Sequence, residues 1–272
     1  MRTIIHLSDL HFGRTDPDIP KPLLECIRAA EPDLVAISGD LTQRAHVTEF
    51  LEARAFLDAI PFPLLVVPGN HDVPLYNLYG RFVQRLRRYR RYITPDLAPL
   101  HEDEEISVAG INTARSLTIK DGRINRGQIT SLKQRFCDRA HGAVKIVVTH
   151  HPFDLPPGLD EGRIVGGARR AMEVLAHCRV DLLLAGHFHI GHTGSSTTRF
   201  KIPGYSALLV SSGTSTSTRG RGQANSFNVI RTTGDTINIV RWEWIPEQKT
   251  FLPMTDETFR RTTDGWSAAI RE

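Results

Sequence analysis

An α/β fold with a largely parallel sheet is what this sequence of 272 residues predicts. Short β-branched apolar runs alternate with helical patterns over the first two-thirds, which reads as a series of βαβ units. After residue 200 the helical patterns stop and successive strands follow. The composition, 40% hydrophobic and 24% charged, is ordinary for a globular chain and allows a sizeable core. With no internal repeat, low-complexity tract or linker, residues 1–272 are expected to form a single domain.

In chain order, strands are predicted at Thr3–Leu7, Leu34–Ile37, Leu64–Val67, Ile106–Ile111, Val144–Thr149 and Leu182–Ala185. Helices are predicted between them, near residues 21–30, 47–59, 77–92, 127–140 and 166–178. Later, Ser206–Ser211, Ser226–Thr232 and Thr236–Trp244 read as strands, the last two joined by the turn Thr233-Gly234-Asp235. From Ile245 the tail, about 245–272, is expected to be irregular and to wrap the surface.

Several function classes are disfavoured by composition. No run of about 18 apolar residues is present, so no membrane-spanning helix is expected. The first residues, Met1-Arg2-Thr3-Ile4-Ile5-His6, lead directly into a strand without the apolar stretch of a secretory leader. A cytoplasmic location is therefore expected. Cys26, Cys137 and Cys178 are three, far apart and without a CxxC pair, which argues against a disulfide framework and a thiolate zinc site. They read as small core residues in helices. The net charge of +4 is a mild basic bias that suits an anionic partner without indicating nucleic acid.

The chemistry lies at the strand ends. Ile4–Ser8 runs into Asp9-Leu10-His11, and Leu34–Ser38 into Gly39-Asp40. Leu64–Pro68 runs into Gly69-Asn70-His71-Asp72, Ile146–Thr149 into His150-His151, and Leu182–Ala185 into Gly186-His187-Phe188-His189. Sites in open α/β sheets form beyond the carboxyl ends of the strands, so five such ends converge on one crevice. On extended backbone, Asp9 with His11 and His187 with His189 would form pairs on one wall. The glycines sit where backbone must turn sharply or approach closely. Carboxylate, amide oxygen and imidazole without sulfur suit divalent manganese, iron or zinc. Two such ions facing only two carboxylates leave surplus positive charge, which attracts phosphate and acidifies a shared water.

The ordered set D-x-H, G-D, G-N-H-D, H and G-H-x-H resembles the signature of the calcineurin-like metallophosphoesterase family. That resemblance implies an α/β four-layer αββα sandwich. It implies that Asp9, His11 and His189 hold one metal ion, that Asn70, His150 and His187 hold a second, and that Asp40 bridges both. The choice of His150 over His151 rests on the family's H-x-P pattern. His71 would protonate the leaving alkoxide while a metal-bridging hydroxide attacks phosphorus, and Asp72 would support that loop. Gly39-Asp40-Leu41-Thr42 with Gly69-Asn70-His71-Asp72 looks like the small bacterial class III cyclic nucleotide phosphodiesterases. Protein phosphatases instead carry G-D-x-x-D-R-G, and their histidine-orienting carboxylate has no counterpart here, where Gln43 and Arg44 stand. Ala45 departs from a glycine often found in the bacterial relatives. The resemblance implies two divalent transition-metal ions, a small nucleotide diester, 2′,3′- or 3′,5′-cyclic, as substrate, and a homodimer.

Other features stay open. His151 and Arg115 are candidate substrate-binding residues, Arg115 because it follows a strand end where a guanidinium could clamp phosphate. A surface ion pair is the alternative for Arg115. His192 reads as a loop histidine and His6 as a packing residue. Arg81–Ile93 combines an apolar stripe of Phe82, Leu86, Tyr89 and Ile93 with six arginines, either a solvated face or a border of the site that draws in anions. Ser211–Arg221 is either a substrate loop or a mobile connection. The alternatives in function are a nuclease, a lipid-head-group or phosphomonoester hydrolase on the same metals, and a non-catalytic scaffold.

Overall fold

The computed structural model describes residues 1–74, 86–115, 121–137, 142–156, 159, 164–219 and 222–269. In chain order the elements begin β1 (Arg2–Leu7), α1 (Pro20–Ala30), β2 (Leu34–Ile37), α2 (Val47–Asp58), β3 (Leu64–Val66) and α3 (Arg87–Tyr92). They continue with β4 (Leu100–Glu102), β5 (Ile106–Ile111), α4 (Arg126–Phe136), β6 (Val144–Thr149), α5 (Ala168–His177) and β7 (Leu182–Ala185). The chain then runs through β8 (His192–Ser195), β9 (Leu208–Ser211), β10 (Ser226–Thr232), β11 (Thr236–Ile245), β12 (Thr250–Thr262) and β13 (Gly265–Ala268).

The strands form two sheets. One has the order β13-β12-β11-β10-β1-β2-β3, the other β4-β5-β6-β7-β9-β8. Pairing is parallel across β1-β2-β3 and β5-β6-β7-β9, so the carboxyl ends of β1, β2 and β3 share one edge, as do those of β5, β6 and β7. Parallel strands buried on both faces need apolar side chains in both directions. β1 meets that need: Ile4 packs between the sheets, against Val108, Ile146 and Leu184, while Ile5 and Leu7 pack outward on Leu23 and Phe50 of α1 and α2. A third core joins α4 and α5 to the outer face of the second sheet through Leu132, Phe136, Met172 and Leu175. Three apolar layers between four layers of secondary structure give the αββα sandwich.

Local chemistry sets the helix ends. Asn125 caps α4, its side chain accepting from Gln128 N while Gln128 Oε1 accepts from Asn125 N. The expected turn at Thr233-Gly234-Asp235 links β10 to β11, with Gly234 at φ 88°. Among the described residues no helix is long and apolar enough to cross a membrane.

The structure corrects three readings. The tail from Ile245 is not irregular, because β12 and β13 extend the first sheet in antiparallel register. The polar and charged residues around them hid the inward Phe251 and Trp266, both buried. β4 and β8 are short edge strands whose polar sequences carry no strand signal. Finally, Cys137 and Cys178 are joined in a disulfide, leaving Cys26 as the free thiol. Both cysteines are helix C-caps, of α4 and α5, and these helices precede the neighbouring parallel strands β6 and β7, so their ends meet. The expected helix near 77–92 is described only over Arg87–Tyr92; Arg81, Phe82 and Arg85 lie outside the described residues.

The tail makes a checkable contribution to stability. The Phe251 ring lies 5.1 Å from that of Phe227 and 5.3 Å from that of Trp244. Phe251→Ala should lower unfolding free energy by about 3–5 kcal/mol in a denaturant titration, the usual range for emptying a buried phenyl site. A loss under about 1 kcal/mol would mean the tail is not part of the folded core.

Candidate metal centre

Three of the five strand ends, those of β1, β2 and β7, deliver their polar residues by leaving extended backbone abruptly. Asp9, His11, Asp40, His187 and His189 all have positive φ, at 52°, 48°, 53°, 78° and 61°. The expected pairs therefore converge through left-handed turns, not through extended alternation. Left-handed backbone in non-glycine residues costs on the order of 1–3 kcal/mol each and persists where surrounding structure holds it. Here the first two strand ends brace each other: Asp9 N donates to Gly39 O at 3.1 Å and His11 N to Asp40 O at 3.0 Å. Gly69 and Gly186 are required by closeness, because a methyl group at either would overlap Asp40 or Ser8.

The two carboxylates are built alike. Asp9 Oδ2 accepts from Ser8 Oγ at 2.7 Å and from His187 N at 2.9 Å, and Asp40 Oδ1 accepts from His71 N at 2.8 Å. The other oxygen of each faces imidazoles. Asp9 Oδ1 lies 3.6 Å from His11 Nε2 and 3.5 Å from His189 Nε2. Asp40 Oδ2 lies 3.8 Å from His11 Nε2 and 3.3 Å from His150 Nε2. Burial pushes both carboxyls up, but neighbouring histidines overcome it, His189 foremost at Asp9 and His150 at Asp40, and hold both below the usual carboxylate range.

The histidines are oriented from behind. His150 Nδ1 donates to Ser38 O at 2.8 Å, His11 Nδ1 meets Thr42 O at 3.3 Å, and His189 Nδ1 meets Thr214 Oγ1. Their Nε2 atoms therefore turn toward the carboxylates. Asn70 Oδ1 stands 3.0 Å from both His150 Nε2 and His187 Nδ1. Burial opposes charge on His150, yet the Asp40 carboxylate pushes that imidazole up to about 9. Burial carries His187 down to about 3 and His189 down to about 4.

This donor set fits divalent cations. Asp9 Oδ1 and His11 Nε2 are buried and lack any hydrogen-bond partner, facing each other with lone pairs. A buried charge in that state is costly unless a cation answers it. The ligand atoms of Asp9, His11 and His189 fall within 4.8 Å of one another, as do those of Asp9, Asp40 and His150. His187 and His189 do not share one wall as extended alternation would have it; they fall in the two different sets that the resemblance implies, His189 beside Asp9 and His11, and His187 beside His150 and Asn70.

His71 lies beside these groups without joining them, its ring centroid 4.9 Å from that of His11. His71 Nδ1 donates to Gln43 O at 2.7 Å, so a backbone carbonyl stands where protein phosphatases would use a carboxylate. Asp72 does not touch that ring. It is buried and accepts from Gly69 N at 2.9 Å, Thr42 N at 2.9 Å and Thr42 Oγ1 at 3.0 Å, tying the β2 and β3 loops together. Burial, then the Asp40 charge, push Asp72 up to about 6 against those hydrogen bonds.

His151 is fully buried, its Nδ1 2.8 Å from Thr113 Oγ1, and its ligand atom groups with those of His150 and His187. Arg115 is partly buried four residues beyond β5, on a separate strand end. His192 opens β8, paired with Ser211, and His6 is buried against Ser38 Oγ at 2.9 Å. Ala45 has φ 56°, which accounts for the glycine common in the bacterial relatives. Sequence reading missed Thr214, which orients His189, and Arg219, whose Nη1 donates to His71 Nε2 at 2.9 Å. Both lie in the Ser211–Arg221 stretch, where a run of Ser and Thr was the available signal.

Comparison with known proteins identifies the family and the fold. A family model described as calcineurin-like phosphoesterase matches residues 2–191. A probable cyclic nucleotide phosphodiesterase from Synechococcus sp. is 26% identical over 205 residues, 69% of this chain and 73% of that protein. A glycerophosphodiester phosphodiesterase from Enterobacter lignolyticus is 46% identical over 41 residues, 15% of each chain. The structure of a dimetal phosphatase from Danio rerio superposes with a TM-score of 0.66 at 14% identity, covering 93% of this chain and 98% of that one.

The Asp72 contacts define a test of what organises the centre. Asp72→Ala strands buried N–H groups of Gly69 and Thr42, so stability should fall by about 3 kcal/mol or more, and bound manganese should fall with it. Unchanged melting together with unchanged metal content would show that Asp72 does not hold these loops.

Proposed function

We propose, for a chain that belongs to the calcineurin-like phosphoesterase family and is thereby a metal-dependent phosphoester hydrolase, that the reaction is cleavage of small nucleotide diesters, cyclic nucleotides foremost. The observation that carries this reading is the pair of donor groups on either side of Asp40, whose Oδ2 lies 3.8 Å from His11 Nε2 and 3.3 Å from His150 Nε2, with His71 alongside. Asp9, His11, His189 and Asp40 would hold one cation; Asp40, Asn70, His150 and His187 would hold the other. The oxygen and nitrogen donors suit manganese, iron or zinc. Such a pair would supply positive charge to the phosphoryl oxygens and acidify a shared water.

The remaining roles belong to side chains. Gln43 O fixes the Nδ1–H of His71, which turns Nε2 toward the centre. A proton carried on Nε2 can pass to the departing oxygen. Asp72 fastens the loop that presents Asn70 and His71. Arg88 of α3 places positive charge at the Ala45 turn, where its Nη1 donates to Ala45 O at 2.7 Å, and this favours an anionic substrate. The same helix supports a second reading, hydrolysis of single-stranded nucleic acid. The name of the Synechococcus relative favours the nucleotide.

A substrate screen with manganese supplied tests both. The expected outcome is release of p-nitrophenol from bis(p-nitrophenyl) phosphate and turnover of cyclic nucleotides, abolished by chelator and restored by metal. Oligonucleotide cleavage that falls steeply with salt, with cyclic nucleotides inert, would select the nucleic acid instead. His71→Ala should keep its metal and lose roughly 10²–10⁴-fold in kcat. A fully metallated protein inactive on every ester in the screen overturns the proposal.

A further inference from the structure

The hydrogen bond between Arg219 and His71 is informative because its polarity is fixed at both ends. Gln43 O can only accept, so Nδ1 of His71 carries the hydrogen at that 2.7 Å contact. A guanidinium can only donate, so Nε2 offers its lone pair to Arg219 Nη1 at 2.9 Å. The imidazole in this arrangement is neutral and its Nε2 is covered. A proton-donating Nε2 and an arginine hydrogen bond to the same atom exclude each other. The guanidinium must therefore move when His71 takes up the role assigned above.

The base of Arg219 cannot move far. Residues 211–217 are buried and sewn to the β1 loop that carries Asp9 and His11. Ser215 N donates to Ser8 O at 3.0 Å, Thr216 Oγ1 to Leu10 O at 2.6 Å and Thr218 N to Arg14 O at 3.1 Å. Asn225 Nδ2 holds Ser217 O at 2.8 Å, and Arg219 N donates to Ser217 Oγ at 3.1 Å. What remains adjustable is the long side chain, anchored beside the two donor groups. Its planar fork matches two oxygens of one phosphoryl group.

We propose that Arg219 is a substrate-binding residue that exchanges His71 Nε2 for the phosphoryl oxygens of the ester, uncovering Nε2 as the ester is seated. This inference rests on the phosphoesterase reading of the site. It makes the Ser211–Arg219 segment the carrier of an anion clamp beside His71.

The experiment compares manganese-loaded full-length wild type, Arg219→Gln and Arg219→Lys. Steady-state hydrolysis of bis(p-nitrophenyl) phosphate is measured beside calorimetric binding of inorganic phosphate, which needs no turnover. Loss of a charged hydrogen-bonding partner should raise KM and the phosphate dissociation constant about tenfold or more in Arg219→Gln, with kcat changed less and metal content unchanged. Arg219→Lys should recover part of the phosphate affinity. KM and phosphate affinity within twofold of wild type in the metallated Gln variant would overturn the proposal, as would a fall in kcat alone, which would mark Arg219 as a positioning residue for His71. If the Gln variant does not fold, the Lys variant decides, because retained wild-type phosphate affinity without the fork excludes the clamp. A wild type that binds phosphate through Arg219 yet hydrolyses no ester would instead fault the functional reading above.

Discussion

Two carboxylates sit buried at the end of a hydrophobic sandwich, each turning one oxygen toward imidazoles. Asp9 Oδ1 faces the lone pair of His11 Nε2 without a hydrogen-bond partner, and Asp40 Oδ2 lies 3.3 Å from His150 Nε2. In a medium of low polarizability, negative charge facing lone pairs is unfavourable until a positive charge joins them. A proton on His150 answers part of that demand, since Asp40 pushes the ring up to about 9 despite burial. Divalent cations answer it more fully, and the rest of the architecture keeps the donors aimed at them.

Much of that aiming comes from one short segment, Ser38–Gln43, at the end of β2. It supplies the Asp40 carboxylate itself. Its carbonyls engage three imidazoles: Ser38 O that of His150, Thr42 O that of His11 and Gln43 O that of His71. Its amides at Leu41 and Thr42 donate to Asp72, which draws the Asn70-His71 turn against it. Backbone groups are less adjustable than side chains, so rings held this way have fixed tautomers and fixed faces. A single loop thereby sets the geometry of residues from three other strand ends.

Such a loop is held under strain. The turns at Asp9, His11, Asp40, His187 and His189 adopt left-handed conformations that these residues do not choose alone. The compensation lies in the layers beneath. β1 and β2 are buried on both faces, and the inter-sheet core of Ile4, Leu34, Ala36, Val148 and Leu184 leaves their ends no freedom to relax. The buried residues 211–217 add a clasp across the β1 loop, which is why a stretch of Ser and Thr lies inside the protein and not in solvent.

The sequence by itself determined the alternation of strands and helices and the convergence of polar strand ends, because both follow from local patterns: apolar runs of strand length, helices between them, and ligand-type residues directly after each run. The αββα layering was legible only through the family resemblance that those strand-end residues carry. It also placed β10 and β11 around a Gly-containing turn. The tertiary structure alone decided what depends on contacts between distant segments. The Cys137–Cys178 link arises because two helices end side by side, 41 residues apart in the chain. β12 and β13 form because an existing sheet edge supplies their partners, although polar residues interrupt their apolar pattern. The carbonyls behind the imidazoles and the contact of Arg219 with His71 rest on backbone turns and on pairings across up to 148 positions. No local pattern encodes a hydrogen bond to a carbonyl that every residue possesses.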